Sequence, residues 1–265
     1  MAVVISPKGH RYDRIVPPPL PWHRMITKIN RNIPLAVDLR SSAGPTKDQG
    51  TEGSCTAHAF SSAMEWIFRR FFNKAPILSR QFFYAEELLA DGDFPNDNGS
   101  TGLTGCGVAI SKGCCEESLF PYVAGQITKP TADQEASAKK WSMGAFHGVA
   151  GSQVALSVLG DPTPWPVEIG FTVYDSFESD WEIPGVMPLP GPGENVLGGH
   201  EVCGCGGYDI GDTPTLRPVG CPPAVLIQNS WSAAWGLEGD FWMQLAILDA
   251  PDTDIKIVHA GKPWK

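Results

Sequence analysis

The sequence predicts an α+β fold in which a helical first half and a strand-rich second half form two lobes with a cleft between them. Two textures carry this. Between Thr56 and Ala90 apolar residues recur at helical intervals, whereas after about residue 145 short apolar or alternating runs are separated by Gly and Pro. Glycine (29) and proline (24) are abundant among the 265 residues, which leans away from an all-helical bundle and towards long ordered loops.

In chain order, residues 1–33 contain "VPPPLPWHR", whose prolines favour an extended course, so this stretch reads as an arm along the body. The remaining 34–265 read as one catalytic-sized domain, with a helical lobe at about 45–140 and a β lobe at about 141–265. "IPLAVDLR" (33–40) has strand-like apolar content, and "SSAGPTKDQGTEGS" is a loop by its Gly, Pro, Ser and Thr. Phe60, Met64, Ile67 and Phe71 then mark one face of a helix beginning near Ser54, which puts Cys55 in its first turn. "SRQFFYAEELLA" predicts a second helix with Ser79 as N-cap, "GCGVAISKG" a third, and "DNGSTGLTGCG" a glycine-rich loop before it. "PVEIGFTVYDSF", "GHEVCGCGGYD", "PAVLIQNSW" and "GDFWMQL" read as strands.

Charge and composition exclude some partners. A net charge of -9 with scattered basic residues does not suit a phosphate backbone, so nucleic acid is set aside. No apolar run approaches the ~18 residues of a membrane span, and the opening "MAVVISPKGHRYDRIV" lacks the layout of a signal peptide. A cytoplasmic location is expected. The seven cysteines are then expected to be mostly reduced.

A thiol at a helix N-terminus is held as thiolate by unpaired amides and the dipole, and Cys55 has that position. A nucleophile also needs a base and a group to orient it. His200 in "VLGGHEVCGCGGYD" follows two glycines, Gly198 and Gly199, and opens a strand that would hold its ring. Asn229 in "LIQNSWSAAWG" ends an apolar strand, where its amide oxygen could fix the imidazole tautomer, and Trp231 could cover that bond. The bland alternatives are specific. Taken alone, Cys55 reads more readily as a buried structural thiol. His58 lies on the same helix as Cys55, which suits a structural role. His200, Cys203 and Cys205 lack zinc-ligand spacing, so no metal is assigned, and Asp209 and Asp212 read as a turn.

These segments resemble the papain-like cysteine proteases, of the bacterial, archaeal and phage branch without a long helical propeptide. "DQGTEGSC" stands for the nucleophile segment, "GGH" with "GGYD" for the histidine strand, and "NSWSAAWGLEGDFWM" for the asparagine segment. "IPLAVDLR", "SRQFFYAEE", "EESLFPY", "GFTVYDSFES" and "PLPGPGENVLGGH" extend the likeness over about residues 34–245. The 145-residue separation of Cys55 from His200 agrees with the family's known range.

The resemblance implies a papain-like two-lobe fold, with a helical left lobe and an antiparallel, β-barrel-like right lobe. It implies cysteine endopeptidase activity through a thioester. Cys55 would be nucleophile, His200 base and acid, Asn229 the orienting amide, and Gln49 an oxyanion donor beside the Cys55 N–H. Trp231 would shield the histidine, and Gly102, Gly105 and Gly199 would lie near substrate. No cofactor is implied, and the partner is a peptide or protein substrate. The alternatives are a papain-like fold kept as a structural or binding module, for example virion-associated, and acyl transfer by the same residues. Three departures stand out. Glu52 replaces the cysteine of the helical-lobe disulfide, Thr56 replaces tryptophan, and Glu201, after His200, is expected to face away from the imidazole. "DTPTLRPVGCPP" stretches the gap to Asn229 as a long hairpin loop.

Overall fold

The computed structural model describes residues 25–26, 29–30 and 32–260. The proline-rich part of the expected arm lies outside the described residues. Met25–Ile26 form a short strand, β1, and Ala36–Asp38 form β2. Four helices follow: α1 (Cys55–Phe72), α2 (Arg80–Asp91), α3 (Gly102–Ser111) and α4 (Ala132–Ala138). Then come β3 (Ala145–Val149), α5 (Gly151–Leu159), β4 (Val167–Tyr174) and β5 (Val196–Asp209). The chain closes with β6 (Ala224–Gln228), β7 (Asp240–Gln244), α6 (Leu245–Leu248) and β8 (Asp254–His259).

α1 is the hub, touching α2, α3 and β5. Ala57, Ala59, Ser61 and Ala63 alternate with Phe60, Met64, Trp66 and Ile67, and the whole run Cys55–Phe68 is buried. It ends at Asn73, whose left-handed conformation (φ 50°) returns its N–H to the Phe68 carbonyl. α2 begins as the sequence predicts, with the Ser79 hydroxyl accepting from Phe82 N–H at 3.0 Å. Its rings complete the left-lobe core, Phe83 stacking on Phe60 at 6.0 Å between centroids.

α3 corrects the sequence reading. Half of "DNGSTGLTGCG" is helical, starting at Gly102 under a Thr101 side-chain cap. Glycine normally weakens a helix, but a Cβ on Gly105 would meet Phe60 Cε2 at 2.5 Å, so close packing on α1 outweighs propensity.

The right lobe is an eight-stranded sheet in the order β1-β3-β8-β4-β5-β6-β7, with β2 paired to β5. Every pairing is antiparallel except β1 with β3. The barrel-like expectation is thus met by an open strand path, and the second half also carries α5 and α6. β5 is the spine. It pairs with β4 from Gly204↔Val167 to Val196↔Tyr174, but with β6 only from Cys203 onwards, where Cys203 faces Gln228. The strand around His200 is therefore open on one side, and α1 packs there.

The long 210–223 loop is anchored by Asp209. Its carboxylate accepts from the N–H groups of Thr215 (2.6 Å) and Leu216 (2.7 Å) and pairs with the buried Arg217 guanidinium. The turn reading of "GYDIGD" thus acquires a cause: Asp209 is an internal anion for this loop.

Candidate active site

Cys55 opens α1, and its N-cap residue leaves the helix end available. Ser54 makes no side-chain cap; its hydroxyl instead meets the Tyr122 hydroxyl at 2.8 Å. The amides of the first turn therefore keep their partial positive charge beside the Cys55 sulfur. Glu201 N–H donates to Cys55 Sγ at 3.4 Å, which brings the His200 strand directly against the thiol.

His200 Nε2 lies 2.8 Å from Asn229 Oδ1. The same oxygen accepts the Ser230 N–H at 2.8 Å, which fixes the orientation of the amide and gives Nε2 a proton to donate. Asn229 is held in turn by its own N–H, bonded to the Gly239 carbonyl at 3.0 Å. Trp231 lies over the imidazole, 5.0 Å away between centroids and tilted by 31°, with Phe171 and Phe177 on its other sides. Trp231 is 4% exposed, so its place is in this ring stack and not on an open substrate surface.

Gln49 is buried and tied at every polar group. Its N–H donates to Ser230 O (2.8 Å), its carbonyl accepts from Tyr122 hydroxyl (2.9 Å), and its side-chain amide donates to Glu52 O (2.9 Å). The Ser230 hydroxyl donates to Gln49 Oε1 at 2.5 Å. Ser232 N–H to Lys47 O, at 3.0 Å, and a bridge between Asp48 and Trp231 complete a short seam. That seam fastens the loop before Cys55 to the segment after Asn229.

The substituted positions explain how the loop is held. Gly125 N–H donates to Glu52 Oε1 at 3.1 Å, and Gly53 N–H to Asp97 Oδ1 at 3.0 Å. Polar bonds thus occupy the place where the resemblance has a disulfide. Cys106, Cys114, Cys115, Cys203, Cys205 and Cys221 are all buried and form no disulfide. Thr56 donates its hydroxyl to Glu87 at 2.8 Å.

His58 lies one turn into the same helix, buried. Nδ1 meets the Ser54 carbonyl at 2.9 Å, and burial, helped by the charge of Arg80, pushes its pKa down to about 3. Glu201 does point away from His200, as strand alternation predicts; its carboxylate meets Lys256 Nζ at 2.7 Å. Of the expected substrate glycines, Gly199 sits in β5 opposite Thr172, directly before His200. Gly105 faces Phe60 and Glu87 inside the left lobe, so it is a packing residue and no substrate contact. Gly102 is buried against Lys256 and Glu201. Two contributors escaped the sequence reading: Ser230, hidden in the "NSW" segment, and Lys256. The alternation in "DIKIV" does set Lys256 on the face opposite Ile255 and Ile257, with Asp254 two residues before it.

This arrangement brings a thiol, an imidazole and a carboxamide together at the meeting of α1 with β5 and the segment after β6. Residues 33–250 match the papain family cysteine proteases, and the chain belongs to that family. It is 27% identical over 209 residues to an uncharacterised peptidase C1-like protein of Acanthamoeba polyphaga mimivirus, covering 74% of this chain and 63% of that relative's length. Among solved structures it resembles xylellain, a cysteine protease from Xylella fastidiosa, with a TM-score of 0.76 and 24% identity over 94% of this chain and 98% of that one. It also resembles digestive procathepsin L 3 of Tenebrio molitor larval midgut, with a TM-score of 0.66 and 16% identity over 93% and 75% of the two chains. The fold is papain-like.

Proposed function

We propose that this chain is an endopeptidase that cleaves peptide bonds through a thioester on Cys55. The observation that carries the reading is the convergence at the sulfur: the amide following His200 donates to Cys55 Sγ while His200 itself is bonded to Asn229. With Nε2 turned to Asn229, proton exchange with the thiol falls to Nδ1. His200 Nδ1 takes the Cys55 proton, and the thiolate adds to the peptide carbonyl carbon. The carbonyl oxygen becomes an oxyanion, met by the Cys55 N–H and by the Gln49 amide, whose orientation is already fixed by Ser230 and Glu52. Collapse breaks the C–N bond, and the leaving nitrogen takes the proton from His200. Water then gives its proton to His200 and attacks the thioester, releasing the carboxylate and restoring the thiol. Trp231 and Phe177 keep solvent from the His200–Asn229 bond, which strengthens it.

The test is cleavage of a mixed peptide library, read by mass spectrometry, with an added amine nucleophile. New carboxyl termini made by the wild type and absent with Cys55→Ala support hydrolysis. Amide products in place of acids would shift the reading to acyl transfer, and no Cys55-dependent product would remove it.

A further inference from the structure

A buried charge cluster lies behind the nucleophile, on the sheet face opposite His200. Lys256 on β8 is fully buried, yet its ammonium reaches Glu201 on β5 at 2.7 Å and Asp254 at 3.2 Å. β4 runs between those two strands, so the bridge crosses two strand spacings, roughly 10 Å. Gly170 makes the crossing possible. It pairs with Glu201 on one side and Asp254 on the other, and with no side chain it leaves the path over β4 open. Glu168, opposite both Lys256 and Cys203, borders the same space; burial pushes its carboxyl well above the usual range, against the pull of Lys256. Cys106 of α3 closes the cluster, again with its thiol pushed up by burial. Gly102 completes the fit from the left lobe, since a Cβ there would fall 2.3 Å from Lys256 Nζ and 2.9 Å from Glu201 Oε2.

Burying an ammonium is costly unless it is paired, and here Glu201 and Asp254 supply the opposite charge. Here the residue that Lys256 holds is the one whose N–H donates to Cys55 Sγ. That N–H lies on the edge of β5 that has no β6 partner, the edge against which α1 packs. We propose that Lys256 is a positioning residue for the nucleophile: by tying the Glu201 carboxylate across Gly170, it aims the Glu201 N–H at the Cys55 sulfur. The inference rests on the reading of Cys55 as nucleophile. A hydrogen bond to a thiolate favours the ionised form, so losing its aim weakens Cys55 before substrate is involved.

The experiment follows alkylation of Cys55 by iodoacetamide against pH in the full chain, with the site resolved by mass spectrometry. Two variants are compared with wild type. Gly102→Ala preserves every charge and sets its Cβ against the Lys256 ammonium end and the Glu201 carboxylate. The double variant Lys256→Met with Glu201→Gln removes both charges together. In each, the pH midpoint of alkylation is expected to rise by about one unit, so that below the wild-type midpoint the rate falls about tenfold. kcat on a cleaved peptide should fall with it while KM changes by less than about twofold. A midpoint unchanged in Gly102→Ala, whether or not the double variant folds, overturns the positioning role. A wild-type Cys55 that alkylates only in the free-thiol range overturns the nucleophile reading itself, which separates the two failures.

Discussion

The Asn229 amide oxygen is spoken for twice, by His200 Nε2 and by Ser230 N–H. Asn229→Ala should leave the ring free to turn and lower kcat by about 10²-fold with a smaller change in KM, measured by steady-state peptide cleavage. Gln49→Ala removes a donor from the oxyanion and should cost about 10²–10³-fold in kcat. His58→Gln should leave the pH midpoint of the reaction where it is, since this ring is already neutral and bonded to Ser54. The placement of Cys55, His200 and Asn229 was legible in the sequence because each sits in a short motif with a fixed local geometry: a helix start, a strand after two glycines, a strand end. Lys256 was not, because its partner lies two strands away and only the sheet order brings them together.

α1 could be read from periodicity and from the loop before it, and α2 from Ser79. α3 could not be placed correctly, because glycine signals a loop and only contact with Phe60 reveals why the helix forms around Gly105. The 210–223 loop was recognised by its prolines, but its order depends on Asp209. Asp209→Ala would leave Arg217 buried without its counter-charge and should destabilise the fold by about 3–5 kcal/mol, measured by urea unfolding. Burial raises the Asp209 carboxyl, but the N–H donors of Leu216, Thr215, Arg217 and Gly211 outweigh it and bring the pKa down to about 2. Since the folded value lies below the ordinary one, this contribution is full above the ordinary carboxylate range and is lost as pH falls towards 2.

Across the whole molecule, other carboxyls act in the opposite sense. Asp240 is raised to about 7 by burial, with Arg40 opposing, and Glu201 is raised by burial against the pull of Lys256. A raised folded value means stability that is full below the ordinary carboxylate range and declines as pH climbs through the folded one. The thermal midpoint should therefore be lower at pH 8 than at pH 5, and a midpoint that rises over this interval would contradict these assignments. The α+β division was visible as a change of texture along the chain. The seam joining the two lobes through Lys47, Gln49, Ser230 and Ser232 was not, since it depends on bonds between segments more than 180 residues apart. Everything converges on the sulfur of Cys55, one of seven buried cysteines. The most direct test treats the native chain at neutral pH with a thiol-directed peptidyl epoxide and maps the adduct by mass spectrometry. One equivalent on Cys55, abolished by His200→Ala, is the predicted result. No adduct, or one spread over the other cysteines, would contradict it.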